Sequence, residues 1–359
     1  MLEVHGLTKA YGSLVAVDDL SFKIEQGEFA TLLGPSGCGK STTLHTIAGL
    51  RAATEGSVSL RGEDVTNVPT DERNIGFVFQ HSALFPHMTA LENITYGLEM
   101  QGFEGRDHDE QAQRFLEMVQ LGDHGDHKPT ELSGGQQRRL SLARALAYEP
   151  DILLLDEPLT GLDRVLREDM RNEIKQIQRE VDVTTLHVTH DQAEALSMSD
   201  RVIVMNDGQK EQEGSPKELY RAPDTEFVAE FVGKSTKFTG TATAPSSSGD
   251  GQVLATDTAA VSVGDRRIEF ADTDDSVDEQ VSLYVRPEQI DIRKTGQQTG
   301  TANAFEATVA HIEYLGHRNE IEATLEDGTT VTAYADATID LELGEAITIE
   351  FDPSDVIVL

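Results

Sequence analysis

The chain has 359 residues, a formal net charge of −35 at pH 7 and a single cysteine. This length predicts two domains, or three, with enough apolar residues for a core in each. A single cysteine excludes an internal disulfide and indicates a reducing compartment. Because the chain has 64 acidic residues and only 29 Lys and Arg, we do not expect a basic surface that would bind nucleic acid.

The acidic excess also bears on the solvent in which the protein works. At molar salt the Debye length falls to about 3 Å, which screens most of the repulsion between surface carboxylates. The charge therefore predicts a cytosol of very high salt, that is, a halophilic source. We expect no signal peptide at Met1–His5 and find no apolar run that would span a membrane, so a membrane role is expected to depend on a partner.

Residues 2–30 alternate apolar and polar positions between turn signals, which predicts antiparallel strands. Tyr11 lies in a turn within this stretch. Its ring offers a flat face on which an adenine base would stack, although the spacing alone favours an ordinary packed or exposed tyrosine.

A glycine-rich loop follows the predicted strand 28–33 and precedes the predicted helix 42–50. It fits the pattern G-x-x-x-x-G-K-[ST] of phosphate-binding loops, in which backbone N–H groups and a helix N-terminus face phosphate oxygens. Lys40 would reach the β- and γ-phosphates, and the Ser41 hydroxyl would bind Mg²⁺. The predicted nucleotide-binding residues are Gly34, Pro35, Ser36, Gly37, Cys38, Gly39, Lys40, Ser41 and Thr42. The position of Cys38 near a helix N-terminus also predicts a lowered thiol pKa.

Further strands are predicted at 56–60 and 75–79, and Gln80 follows the second of them. An amide at the carboxyl edge of a sheet lies where ligands bind, but an isolated loop glutamine fits the same position. Residues 90–127 have apolar positions at helical spacing. Within them, the strings 107–109 and 123–127 combine Asp and His; we interpret them as acidic surface because no second cluster at metal-ligand spacing accompanies them.

A second anion site is predicted at Ser133, Gly134, Gly135 and Gln136, which precede the helix-forming run 137–147. The buried strand 152–155 then ends at Asp156 and Glu157. We expect Asp156 to hold Mg²⁺ through a water, and Glu157 to activate the attacking water. His190 follows the predicted strand 184–189, where a histidine would donate to the γ-phosphate or serve a structural purpose.

Taken in order, these pieces resemble the nucleotide-binding subunit of an ABC transporter over about residues 1–233. The loop at 34–42 is similar to the Walker A loop, LSGGQ at 132–136 to the signature, and ILLLDEP at 152–158 to the Walker B strand. By this resemblance Tyr11 is the adenine-stacking aromatic, Gln80 the Q-loop glutamine and His190 the switch histidine. The D-loop, with Asp163 at its end, has Thr160 and Gly161 where many relatives have Ser and Ala.

The resemblance implies an α/β P-loop ATPase with a mixed sheet and a helical subdomain at about residues 88–150. It implies two ATP molecules between two head-to-tail copies, with catalytic roles for Lys40, Gln80, Glu157 and His190. Ser41, Gln80 and Asp156 would hold Mg²⁺, while the signature of one copy and Asp163 would contact the nucleotide of the other. The resemblance also implies a homodimer that works with transmembrane permease subunits and, indirectly, with an extracytoplasmic solute-binding protein. It implies a location at the cytoplasmic face of the membrane. Residues 84–88 resemble the surface that receives the permease, although core packing explains their apolar character equally well.

Residues 215–232 predict a helical connector, and residues 234–359 predict short strands with polar turns, including a loop at 245–251. The strings 281–288 and 310–316 resemble the TOBE domain, an all-β barrel of the OB type that follows the cassette in importers of sugars, polyamines, ferric iron or oxyanions. An OB-type barrel can also bind nucleic acid, but stacking aromatics on a basic face are not found here.

The function indicated by the sequence is therefore an ATPase that energises an ABC importer. An alternative is a non-transport cassette ATPase of DNA repair or translation, which usually has coiled-coil insertions or tandem cassettes. A second alternative is an inactive regulatory module, which would be expected to lack Lys40, Glu157 or His190. The transported substrate is not determined by the sequence, with a slight resemblance to the polyamine and ferric-iron branch.

Overall fold

The structure is a computed structural model that describes residues 1–100, 108–243, 258–263, 266–271, 280–294 and 302–359. The chain divides into two compact units, Met1–Glu218 and Leu219–Leu359. The sequence-based boundary at residue 233 and the limits of the helical subdomain stay predictions. The predicted loop at 245–251 and the residue Asp107 lie outside the described residues. Within the described ranges, no helix is both long and apolar enough to cross a membrane.

The strands of the first unit build two sheets. In chain order they are β1 (Leu2–Tyr11), β2 (Leu14–Ile24), β3 (Phe29–Leu33), β4 (Glu55–Leu60), β5 (Glu63–Asp64), β6 (Ile75–Val78), β7 (Ile152–Asp156), β8 (Thr184–Thr189), β9 (Arg201–Asn206) and β10 (Gln209–Gly214). A four-stranded antiparallel sheet has the order β2-β1-β4-β5, which confirms the antiparallel strands expected in residues 2–30.

The second sheet has six strands in the order β10-β9-β3-β8-β7-β6, and all are parallel except β10. Strands β3, β7 and β8 are buried at every residue, which explains why their sequences are runs without alternation. The register pairs Val78 with Leu155, Asp156 with Val188, and Leu33 with Thr189. The carboxyl ends of four strands therefore lie along one edge of the sheet, where ligands bind in α/β folds.

The helices of this unit are α1 (Lys40–Ile47), α2 (Ala90–Met100), α3 (His108–Met118), α4 (Gly134–Leu146), α5 (Arg164–Val181) and α6 (Gln192–Met198), and α7 (Pro216–Arg221) crosses the boundary between the units. The expectation of helix throughout 90–127 is wrong beyond Met118. There Gln120 has a φ of +58°, and only a 3₁₀ turn, Gly122–His124, follows. Residues 101–107 lie outside the described residues. Leu98, Phe115 and Leu140 bring α2, α3 and α4 into one buried apolar cluster.

The second unit is rich in strands. Its elements after α7 are α8 (Glu226–Phe231), β11 (Thr236–Thr243), β12 (Thr258–Val263), β13 (Arg266–Ala271), β14 (Gln280–Val285), β15 (Asp291–Lys294), β16 (Asn303–Tyr314), β17 (Arg318–Leu325), β18 (Thr330–Asp336), β19 (Ala346–Phe351) and β20 (Ile357–Val358). Two five-stranded sheets, β13-β12-β11-β14-β20 and β15-β19-β16-β17-β18, share one apolar core around Leu283, Val331 and Ile349. This confirms an all-β domain after the helical connector.

Candidate nucleotide-hydrolysis site

The loop between β3 and α1 is shaped for phosphate. Gly37 and Gly39 have φ values of +88° and +101°, which side chains rarely adopt, and a Cβ on Gly34 would lie 2.3 Å from the carbonyl oxygen of Met205. Lys40 is only 4% exposed, and its Nζ donates to the carbonyl oxygens of Gly34 and Pro35, both at 2.8 Å. The third donor of this ammonium points to Cys38 Sγ at 3.7 Å, a weak acceptor that a phosphate oxygen beside the N-terminus of α1 would replace.

Two of the side chains predicted to hold Mg²⁺, those of Ser41 and Asp156, are in direct contact in the fold. The Ser41 hydroxyl donates to Asp156 Oδ1 at 2.8 Å, and Asp156 is 6% exposed. The Ser41 hydroxyl and the Asp156 carboxylate are hard oxygen donors of the kind that Mg²⁺ prefers, and the Gln80 amide, which contacts the next residue, Glu157, has an oxygen of the same kind. These residues therefore fit the ion. The other oxygen, Asp156 Oδ2, lies 3.2 Å from His45 Nε2. The sequence analysis missed His45, although its position four residues after Ser41 on α1 places both on one helix face.

The carboxylate of Glu157 is contacted by side chains from the loops that follow β6, β7 and β8. Gln80 Nε2 lies 3.4 Å and Thr160 Oγ1 lies 3.1 Å from Glu157 Oε2, while His190 Nδ1 lies 3.2 Å from Glu157 Oε1. Glu157 itself has a φ of +44°, a left-handed conformation that costs free energy in a residue with a side chain and is frequent at functional sites. The arrangement orients one carboxylate from both sides, as a general base requires. The contact from Thr160 was not anticipated by the sequence.

The signature residues form a helix start of their own. Ser133 is the N-cap of α4: its Oγ accepts from Gln136 N at 3.3 Å, and Gln136 Oε1 accepts from Ser133 N at 2.8 Å. The Gln136 amide also lies 3.1 Å from His124 Nε2, so this histidine of the predicted acidic surface contacts the signature. Ser133 and Gly134 are exposed, and a Cβ added to Gly134 would point into open space.

Not all predicted nucleotide-binding residues come together within one copy. Across the described residues, no hydrogen bond or ion pair joins Ser133–Gln136 or Asp163 to the phosphate loop, and Asp163 instead caps α5 by accepting from Leu166 N at 3.0 Å. Tyr11 ends β1 with its side chain 45% exposed, and the Lys9 ammonium lies 5.0 Å from its ring centroid. The roles of these residues stay predictions.

The expected lowering of the Cys38 pKa is wrong. Cys38 is 3% exposed, and burial raises its thiol pKa, although the Lys40 ammonium at 3.7 Å acts in the opposite direction. Desolvation disfavours the thiolate more strongly than the neighbouring charge and the helix start favour it. The sequence pattern identified the helix N-terminus but not the contacts that bury the sulfur.

We therefore expect iodoacetamide to alkylate Cys38 of the native protein at pH 7.5 at least about tenfold more slowly than the same protein in urea, because only the exposed thiolate reacts. Mass spectrometry of timed samples, with free cysteine as the reference, measures both rates. Equal rates in the native and unfolded protein would contradict a buried, protonated thiol.

Comparisons with known proteins indicate the same family as the motifs of this site. The family model "ABC transporter" matches residues 17–160, and the model "TOBE domain" matches residues 283–359. The chain is 43% identical over 324 residues, 90% of its own length and 87% of the relative, to the Fe(3+) ions import ATP-binding protein of Brucella suis. It is 40% identical, over 100% of its own length and 93% of the relative, to the spermidine/putrescine import ATP-binding protein of Thermobifida fusca.

A solved structure supports the same assignment. A dimeric ATP-binding cassette in a post-hydrolysis state, bound to ADP and Pi, superposes with a TM-score of 0.55 at 36% identity, covering 60% of this chain and 99% of that one. These similarities give no support to a DNA repair or translation factor. The chain belongs to the ABC transporter family, as an ATP-binding and ATP-hydrolysing importer subunit with a C-terminal TOBE domain.

Proposed function

We propose that this subunit hydrolyses Mg-ATP at a site shared between two copies of the chain, arranged head to tail. The observation that carries the proposal is the convergence of Gln80, Thr160 and His190 on Glu157, beside the Ser41–Asp156 pair. One chain thus assembles a phosphate loop, a set of Mg²⁺ ligands and a base. The start of α4, where Ser133 and Gly134 are exposed, is a second anion site with no nucleotide of its own chain to bind.

Each residue then has a distinct task. Lys40 and the N–H groups of the loop bind the β- and γ-phosphates, and Ser41, Gln80 and Asp156 hold Mg²⁺, which would neutralise the phosphate charge. Glu157 accepts the proton of the attacking water, while His190 donates to the γ-phosphate. Tyr11 stacks on the adenine, and Ser133, Gly134, Gly135, Gln136 and Asp163 of the other copy complete the site.

A permease in the membrane is the proposed partner, and its docking surface is the segment Leu84–Met88. Phe85 in this segment packs its ring edge-on against Tyr96, with ring centroids 5.0 Å apart, and Tyr96 is 38% exposed. A partly exposed aromatic pair suits a partner that buries one apolar side chain between the two rings. We place the subunit at the cytoplasmic face of the membrane, with an extracytoplasmic solute-binding protein that delivers the cargo.

The proposed cargo is a cation, either ferric iron or a polyamine. The relatives that match most of the chain import Fe(3+) ions or spermidine and putrescine. Both kinds of relative match across the cassette and the C-terminal domain, which supports the same division of labour between the cassette and its permease.

We expect the Glu157→Gln protein to change from monomer to dimer when Mg-ATP is added, because it retains the phosphate loop but hydrolyses too slowly the nucleotide that holds two copies together. Sedimentation velocity in molar KCl, which screens a net charge of −35, measures the change. The matched control adds Ser133→Arg, which places bulk where the other copy's nucleotide lies and is expected to keep the protein monomeric. A monomer that has ATP bound would contradict the shared site.

A further inference from the structure

One face of α4 holds the main chain of the loop that follows β6. Ser141 Oγ donates to the carbonyl oxygen of Ser82 at 2.8 Å, and Arg144 Nη1 donates to that of Ala83 at 2.8 Å. Arg138 Nη1 donates to the carbonyl oxygen of Gln80. Because residues three apart lie on one face of a helix, these three donors form a row along α4. The loop with the Gln80 side chain is thereby attached to the helix that begins with the signature.

Arg138 differs from the other two donors because it also reaches a second loop. Its Nη2 donates at 3.0 Å to the carbonyl oxygen of Thr160, in the turn after Glu157. The described residues include no carboxylate paired with this guanidinium, and burial lowers its pKa. A planar guanidinium has donors on separate nitrogens, so Nη1 and Nη2 can reach carbonyl groups of two different loops.

The two residues that Arg138 holds by their backbones also contact the same atom with their side chains. Gln80 Nε2 and Thr160 Oγ1 both approach Glu157 Oε2, at 3.4 Å and 3.1 Å. The guanidinium therefore fixes the spacing of the two groups that orient this carboxylate. Arg138 follows Gln136, the last signature residue, by two positions in the first part of α4, so a movement of the signature would carry the guanidinium with it.

We propose that Arg138 is a positioning residue for hydrolysis, which links the signature at the start of α4 to the two loops that orient Glu157. The inference rests on the proposed role of Glu157 as the base. Contact of the signature with the nucleotide of the other copy would then set the orientation of Glu157 in its own copy. Arg138 itself touches neither the nucleotide nor the reacting water.

The test compares Arg138→Ala, Arg138→Lys and the control Arg179→Ala, which removes an exposed arginine in the last turn of α5. We expect Arg138→Ala to lower kcat about tenfold with an unchanged KM for ATP, since a small displacement of a catalytic group costs rate rather than binding. Arg138→Lys should retain an intermediate kcat, because one ammonium replaces one of the two contacts. Arg179→Ala should keep the kcat of the original protein.

A double-mutant cycle separates positioning from a structural role. In the Glu157→Gln background, single-turnover hydrolysis should not fall further when Arg138→Ala is added, because there is no longer a base to orient. The same tenfold loss in both backgrounds, an unchanged kcat, or a KM that rises as kcat falls would overturn the proposal. If Arg138→Ala does not fold, as judged by thermal melting, the Arg138→Lys cycle carries the same test. Normal turnover by Glu157→Gln alone would instead refute the proposed function.

Discussion

Glu157→Gln is expected to lower the rate of ATP hydrolysis by about a thousandfold, the range over which a positioned general base contributes. The amide has the size of the carboxylate and can keep contacts to Thr160 and His190, but it cannot accept the proton of the attacking water. ATP binding should be retained because Glu157 is not part of the phosphate loop. Phosphate release in a single turnover measures the chemical step directly.

The matched control for this variant is Glu63→Gln, the same change of charge at an exposed position of β5. It should hydrolyse ATP at the original rate, which separates loss of the base from loss of one negative charge among 64 acidic residues. Hydrolysis by Glu157→Gln within a few-fold of the original rate would remove Glu157 as the base.

Lys40→Met should weaken ATP binding by about a hundredfold. The Lys40 ammonium is nearly buried, and charge-assisted hydrogen bonds of a desolvated ammonium to phosphate contribute about 1.5–3 kcal/mol each. The variant also leaves the carbonyl oxygens of Gly34 and Pro35 without their donor. Titration with a fluorescent ATP analogue measures the affinity, and Lys217→Met, at an exposed lysine of α7, is the control.

The same pair of variants tests the proposed cargo. In cells that contain the complete transporter, uptake of labelled ferric iron and of labelled spermidine is measured with the original subunit, Lys217→Met and Lys40→Met. The cargo is the compound whose uptake falls to background with Lys40→Met alone. If neither uptake depends on Lys40, the proposal of a cationic cargo is wrong.

Several parts of the structure were predictable because they depend on short-range sequence. The glycines around Lys40 predict the phosphate-binding loop, and an unbroken apolar run before two acidic residues predicts the buried strand that ends at Asp156. The capping of α4 by Ser133 follows from the Ser-x-x-Gln spacing, since both partners of a capping box lie within one turn. The comparisons then confirmed the family that these motifs indicate.

Two other predictions failed, one because of tertiary packing and one because of the local backbone conformation. The thiol of Cys38 lies near a helix N-terminus as expected, but tertiary packing buries it and reverses the direction of its pKa shift. The helical pattern beyond Met118 ends where Gln120 takes a left-handed conformation. The boundary at residue 233, the roles of the individual site residues and the halophilic source stay predictions.

The sequence by itself determined which chemical groups this protein has and at the end of which strand each one lies. Only the tertiary structure decided that Gln80, Thr160 and His190 meet at one carboxylate, and that a single guanidinium on α4 holds two of their loops. The reason is physical. A motif records the local backbone, whereas the parallel register of β6, β7 and β8 brings Gln80 and His190, which are 77 and 33 residues from Glu157, to the same edge of the sheet.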